Sequence, residues 1–170
     1  MGVIFRKPEE EDGSDVWKLI KRAGVLDLNS SYSYLMLCKF FPETCVIAED
    51  NDGKIVGFVS AFRPQNAKDT VFVWQVAVDP SQRGKGLGKA LLKSLLSRDA
   101  CSEVRYLEAT VSPSNLPSQS LFKGLAKDMK AQCTISECFS ENMFPDQGHE
   151  SEWTYRIGPF ESKEITEEVQ

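Results

Sequence analysis

Residues 71–96 read VFVWQVAVDPSQRGKGLGKALLKSLL, and three pieces of local structure separate within them. Val71 to Val78 are apolar except for Gln75. So short a β-branched and aromatic run predicts a strand buried on both faces. Asp79-Pro80 stops it, because proline has no N–H with which to extend a ladder. Glycines follow at 84, 86 and 88, interleaved with Arg83, Lys85 and, just beyond, Lys89. From there Leu87, Leu91 and Leu95 recur at helical spacing. A strand, a basic glycine loop and a helix in that order make a cradle for phosphate. Glycine lets the backbone approach a ligand closely. The unpaired N–H groups of the first helical turn point at the anion, with the macrodipole behind them.

Spacing narrows the choice of ligand. A nucleoside-triphosphate P-loop sets four residues between its glycines and follows with Gly-Lys-Ser/Thr. Here three residues separate Gly84 from Gly88, and Lys89 is followed by Ala90, which offers no hydroxyl to Mg²⁺. The dinucleotide fingerprint G-x-G-x-x-G fails as well, with Lys89 standing where its last glycine belongs. The glutamine-and-glycine stretch Gln82-Arg83-Gly84-Lys85-Gly86-Leu87-Gly88 resembles instead the acyl-CoA pyrophosphate loop of the GCN5-related N-acetyltransferases.

The rest of the chain supports an ordered α/β protein. Val3–Arg6 reads as a first strand. Val16, Leu19, Ile20 and Ala23 share a helical face that ends at Gly24. Asn29, Ser30 and Ser31 are candidate caps for a second helix, whose predicted buried stripe is Tyr34, Leu37, Cys38 and Phe41 and which Pro42 ends. Thr44–Glu49 and Lys54–Phe62 read as strands joined by a hairpin turn at Asp52-Gly53. After the central stretch come a strand at Val104–Val111 and a helix with Leu121, Phe122, Leu125, Ala126 and Met129 in phase. Strands at Gln132–Phe139 and Glu152–Ile157 follow. In the last, Trp153, Tyr155 and Ile157 alternate with polar residues, as in a half-buried strand. The order β-α-α-β-β-β-α-β-α-β-β matches the fold that the resemblance implies, a mixed central sheet of about seven strands flanked by four helices. Residues 1–160 are expected to form a single N-acetyltransferase domain. The charged, aperiodic end ESKEITEEVQ (161–170) is expected to be a disordered acidic tail.

Composition sets limits. With 170 residues, 41% of them hydrophobic, the chain can bury a core of its own. It has no apolar run long enough to span a bilayer, and its N-terminus lacks a secretory h-region, so a cytoplasmic protein is expected. A net charge of −5 argues against nucleic acid and favours a small cationic or neutral substrate. The five cysteines contain no C-x-x-C, which suits a reducing compartment and buried thiols. With one histidine in the chain, no metal is expected.

The family resemblance implies acetyl-CoA as the acetyl donor and assigns it residues. The pyrophosphate falls to the loop amides of 82–88, Gln82 to Gly88 and on to Lys89, with Arg83 and Lys85 adding charge. The pantetheine arm pairs like an extra strand with the backbone of Val76, Ala77 and Val78. A backbone N–H of that strand takes the thioester oxygen and stabilises the developing oxyanion. Asn115 bonds the cofactor, with Ser118 or Ser120 nearby; on sequence grounds alone Asn115 is equally a helix cap. Where many members carry an acid tyrosine this chain has Phe122. The alternatives are another hydroxyl (Tyr32, Tyr34, Ser118 or Ser120) or a thiolate that leaves unprotonated, a thiol of pKa about 8.5 permitting the latter.

For the acceptor, LDLNSSYSYLMLCKFFPETCVIAE together with the central stretch closely resembles the family of diaminobutyrate acetyltransferases of ectoine biosynthesis. The resemblance implies L-2,4-diaminobutyrate as acceptor, an N4-acetyl product and a homodimer. It assigns Asp27, Tyr32, Trp74, His149 and Glu152 to the diamine pocket, with Glu150 also in range. Asp27, Tyr32 and Glu152 are the groups expected to take part in catalysis. Carboxylates and an indole suit a substrate bearing ammonium groups, and the amine must lose a proton before it attacks. Two rivals stand beside this reading: an acetyltransferase for a protein amine or a polyamine, and a non-catalytic acetyl-CoA-binding module.

Overall fold

A computed structural model describes residues 2–161. The expected acidic tail therefore lies, from residue 162 onward, outside the described residues. The elements follow the predicted order: β1 (Ile4–Arg6), α1 (Gly13–Ala23), α2 (Ser31–Phe40), β2 (Val46–Glu49), β3 (Ile55–Phe62), β4 (Thr70–Val78), α3 (Leu87–Leu96), β5 (Tyr106–Val111), α4 (Leu116–Asp128), β6 (Gln132–Phe139) and β7 (Glu152–Gly158). The seven strands form one sheet in the order β1-β2-β3-β4-β5-β7-β6. It is mixed. β4 and β5 are parallel, whereas β1–β2, β2–β3, β5–β7 and β6–β7 are antiparallel.

The chain divides into two compact units, and β4 contributes to both. The first comprises the residues up to Arg63 together with Trp74–Ser102. Its core joins Val16, Leu19 and Ile20 of α1 and Tyr34, Leu37 and Cys38 of α2 to Ile47, Ile55, Phe58 and Ala77 of the strands. Helix α1 buries the stripe its spacing predicts. Helix α2 is capped by Ser30, whose Oγ accepts from the Ser33 amide, and Tyr34 stands edge-on to Phe58. Phe41, expected in the α2 stripe, is instead 45% exposed. It is the residue after the helix, where the backbone leaves helical geometry ahead of Pro42, so its ring leaves the buried face. On the hairpin between β2 and β3, the Asp50 carboxylate accepts from the amides of Asp52 and Lys54, closing the turn that Asp52-Gly53 predicts.

Strand β4 departs from expectation in its burial. It is not buried on both faces: Val73, Gln75 and Ala77 are buried, while Trp74 is 46% exposed. Strand alternation thus places the one polar residue of the run inside and the indole outside.

The second unit comprises Pro64–Val73 and the chain from Glu103 onward. Thr70–Val73 pair in register with Tyr106–Ala109. Leu107, Ala109, Val111, Phe122, Leu125, Ala126, Tyr155 and Ile157 are its buried hydrophobic residues on β5, α4 and β7. Strand β6 ends the sheet order and is largely exposed. The expectation of buried thiols accordingly fails at Cys138 on β6, which is exposed, and at Cys133, which is half-buried; it holds at Cys38, Cys45 and Cys101. Burial pushes the Cys38 thiol up to about 12 and that of Cys45 up to about 11, so neither ionises near neutrality.

Candidate active site

At the end of β4 the chain makes a short turn, Pro80–Gln82, and enters the glycine loop. Gly84 and Gly86 have φ of 76° and 78°, a region that side chains with a Cβ enter only at a cost. A Cβ placed on either would meet nothing within 4 Å. The loop therefore needs glycine for its conformation, and it presents open space on the side a ligand would take. Helix α3 starts at Leu87 with Gly86 as a cap that offers no side-chain acceptor. No capping side chain shields its first amides. These features fit an anionic cofactor.

Two details revise the sequence reading of this loop. The Gln82 amide donates to Asp79 O at 2.8 Å and the Arg83 amide to Pro80 O at 3.4 Å, so both belong to the turn. The candidate cradle narrows to the amides of Gly84, Lys85, Gly86, Leu87 and Gly88. The Arg83 guanidinium, expected on the pyrophosphate, instead donates from Nη2 to Ala23 O at 2.7 Å, at the last turn of α1. A helix C-terminus carries carbonyls that lack helical partners, which is where a guanidinium is drawn. Lys85 remains exposed on the loop. Lys89 is half-buried on the first turn of α3.

Asp79 fixes the root of the loop. It is 3% exposed, and its Oδ1 accepts from the Ser81 amide at 3.0 Å and from the Ser81 hydroxyl at 2.7 Å. Its Oδ2 accepts from Arg22 Nε at 2.8 Å, with Lys54 Nζ at 3.5 Å. Burial alone would raise this carboxyl, but the Ser81 bonds, Arg22 and Lys54 outweigh it and hold the group well below the usual carboxylate range. The sequence reading took Asp79 only as a strand stop. Ser81, two residues on, lies within reach of a local reading, whereas Arg22 and Lys54 lie too far away in sequence to be read.

Of the acceptor residues, Asp27 and Tyr32 lie in the segment linking α1 to α2 and in the first turn of α2, both exposed, Tyr32 at 67%. Asp27 is held through its backbone: its carbonyl accepts from Gln75 Nε2 at 2.7 Å. Trp74 projects from the face of β4 opposite Gln75. Tyr34, one of the alternative hydroxyls, is fully buried and donates to Gln75 Oε1 at 3.0 Å, so its proton is already committed.

His149, Glu150 and Glu152 lie in the second unit. The His149 ring stacks on Phe144 with centroids 3.7 Å apart and planes 10° from parallel. Its Nδ1 lies 2.7 Å from Glu150 O; a carbonyl can only accept, so Nδ1 carries the hydrogen of this bond. The Glu150 carboxylate is taken by the amide and hydroxyl of Ser114, a tie from the long loop to the turn before α4. Glu152 opens β7, half-buried, opposite Phe139 of β6. Asn115 Oδ1 accepts from the Ser118 amide at 3.2 Å and so caps α4. Ser118 is half-buried and Ser120 exposed. Phe122 is 4% exposed. Among the described residues no group of His, Cys, Asp and Glu is arranged to hold a metal ion.

Comparison with known proteins bears on this arrangement. The sequence model of the acetyltransferase (GNAT) family matches residues 14–126. The chain is 60% identical over 158 residues to the L-2,4-diaminobutyric acid acetyltransferase of Marinococcus halophilus, covering 93% of this chain and 91% of that one. To the protein of the same name from Halalkalibacterium halodurans it is 55% identical, with 92% and 82% covered. Its fold superposes on the diaminobutyrate acetyltransferase EctA of Paenibacillus lautus, solved in complex with its substrate L-2,4-diaminobutyric acid and coenzyme A. That match has a TM-score of 0.88 and 48% identity, covering 93% of this chain and 95% of the other.

Proposed function

We propose that this chain, which belongs to the acetyltransferase (GNAT) family, transfers the acetyl group of acetyl-CoA to an amine of L-2,4-diaminobutyrate. The observation that carries the acceptor is the identity to diaminobutyrate acetyltransferases, which runs along nearly the whole chain and not only through the glycine loop. The product on this reading is N4-acetyl-L-2,4-diaminobutyrate, the precursor that cyclises to ectoine.

Acetyl-CoA supplies an activated acyl carbon and a thiolate leaving group. The residues present suit it. The amides of Gly84 to Gly88 and the Lys85 ammonium would take the pyrophosphate. The backbone of Val76, Ala77 and Val78 would hold the pantetheine arm and offer an N–H to the thioester oxygen. Asn115 at the mouth of α4 would add an amide nitrogen, since its oxygen is spent on the cap, with Ser118 and Ser120 beside it. In the reaction the amine nitrogen forms a bond to the acyl carbon, the carbon–sulfur bond breaks, the thiolate leaves with the electron pair, and the nitrogen gives up its second proton to the thiolate or to water. The ammonium proton must first go to a base or a water chain. Asp27 and Glu152 are the carboxylates assigned to the diamine, Tyr32 a hydroxyl beside it, His149 Nε2 a further acceptor and Trp74 an apolar wall. The reading extends to a cytoplasmic homodimer; the apolar Ile135 and Phe139, exposed on β6, favour self-association.

The test is acceptor screening. Purified protein is mixed with acetyl-CoA and L-2,4-diaminobutyrate, ornithine, lysine or a histone-like peptide, and thiol release is followed. Diaminobutyrate should exceed ornithine in kcat/KM by at least about tenfold, the scale of one methylene, and NMR should place the acetyl group on the γ-nitrogen. A preference for the peptide would establish the rival acetyltransferase. Binding of acetyl-CoA without turnover on any acceptor would establish the non-catalytic module.

A further inference from the structure

Gln75 is the single polar residue in the apolar run of β4 and is 5% exposed. A buried amide that leaves its groups unmatched is destabilising, so its partners define what it does. Its Nε2 donates to the Asp27 carbonyl at 2.7 Å. Its Oε1 accepts from the Tyr34 hydroxyl at 3.0 Å. The orientation is fixed by chemistry, because a backbone carbonyl cannot donate. The same hydroxyl lies 3.4 Å from the Asn29 amide, which donates to it. The backbone of Gln75 is itself placed by its amide, which donates to Ser60 Oγ on β3 at 3.2 Å. The segment between α1 and α2 is thus fastened from beneath at Asp27 and Asn29, and at its end by the Ser30 cap of α2.

We infer that Gln75 is a positioning residue for the acceptor: through Asp27 O and Tyr34 it sets the height and orientation of the segment that carries Asp27. This rests on the reading that Asp27 lines the diamine pocket. The site demands a donor toward residue 27 and an acceptor toward residue 34, reached by one side chain. Glutamine supplies both. Glutamate supplies both only while protonated; once ionised it faces the Asp27 carbonyl with a second acceptor, and the two oxygens repel. Methionine supplies neither. A rigid backbone at residue 27 matters because the Asp27 carboxylate is exposed and, on the proposed reading, must meet one particular ammonium group.

Two near-isosteric variants test this. In Gln75→Glu the buried carboxyl should titrate well above the usual carboxylate range. The ratio of variant to parent kcat/KM for diaminobutyrate cancels the substrate's own titration. That ratio should fall by about tenfold or more between about pH 6 and pH 9, through KM rather than kcat, while acetyl-CoA affinity stays within about threefold of the parent. In Tyr34→Phe, hydrogen exchange of the 27–30 segment should accelerate by about tenfold or more, with KM raised in the same sense. A pH-independent ratio, or a matching loss of acetyl-CoA affinity, overturns the positioning role. Parent protein that leaves diaminobutyrate untouched would overturn the proposed acceptor instead. The exchange measurement still decides the fastening in that case, and unchanged protection of residues 27–30 in both variants overturns it.

Discussion

Replacing Asp79 by asparagine asks how much the root of the glycine loop depends on charge. The side chain is nearly the same size, and one oxygen can still accept from Ser81. What is lost is the anion facing Arg22 at 2.8 Å and Lys54 at 3.5 Å, and the new amide nitrogen opposes a guanidinium. Two unit charges about 4 Å apart at an effective dielectric near 20 attract by roughly 4 kcal/mol, which is a ceiling. The Arg22 side chain is 36% exposed, so solvent screens part of this. A charge-assisted hydrogen bond contributes about 1.5–3 kcal/mol. A loss of about 2 kcal/mol at neutral pH is therefore expected, or a fall in Tm of about 4–8 °C for a chain of this size. The dependence on pH is the sharper test. The folded carboxyl lies below its unfolded value of about 3.9, so its contribution is complete above that value and fades as pH falls through it toward the folded one. Unfolding free energies of parent and variant from urea denaturation should differ by a constant amount from about pH 7 to pH 5. Below about pH 4 they should converge, by up to about 1.4 kcal/mol per pH unit. Equal stability at pH 7, or a difference that does not shrink in acid, would refute the assignment of charge to this anchor.

Other variants probe the chemistry. Gly86→Val puts a branched side chain into the open space over the loop, so acetyl-CoA affinity by calorimetry should fall about a hundredfold, ~3 kcal/mol, in a folded protein; unchanged binding would remove the cradle. Phe122→Tyr should leave kcat nearly as it is if the thiolate departs without a protein acid, whereas a rise of about 10²-fold would show that the site needs one. Asp27→Asn and Glu152→Gln, made singly and together, should each lower kcat/KM for diaminobutyrate by about tenfold to a hundredfold with acetyl-CoA binding intact. Parent behaviour in all three would move the amine to other groups, His149 and Tyr32 first.

What the sequence revealed was local. The strand, glycine loop and α3 are consecutive, and each announces itself within a few residues: an apolar run, Asp-Pro, glycines, then leucines at helical spacing. The hairpin at Asp52-Gly53 and the α1 stripe are legible for the same reason. What stayed hidden depends on partners far along the chain. Arg83 reads as a phosphate ligand because it sits among glycines, yet the carbonyl at Ala23 claims it. Gln75 reads as a blemish in a buried strand until Asp27 and Tyr34 are placed beside it. Glu150 reads as a pocket acid, and Ser114 takes it. The exposure of Phe41 follows from the helix stopping one residue before it, a stop that Pro42 signals, whereas that of Cys138 follows from where the sheet ends, which residue type does not encode.

These long-range ties have a common geometry in the first unit. Arg22, on the last turn of α1, reaches to Asp79 at the root of the loop, and from Nη2 to Ile55 O on β3. Arg83, in the loop, reaches back to Ala23 at the end of the same helix. The two arginines thus cross, each binding the other's element, so the C-terminus of α1 and the start of the glycine loop are tied to each other twice. The chain leaves α1 at Gly24 and is caught again at Asp27 by Gln75, a residue of the strand that leads into the loop. Asp27 is therefore referenced twice to the same strand and loop, once through α1 and once directly. On the proposed reading, an acid that must meet the amine while carried on an exposed segment gains from this a held backbone without being buried itself. Its carboxylate stays exposed, while its carbonyl is tied to the strand that, on the proposed reading, would hold the thioester.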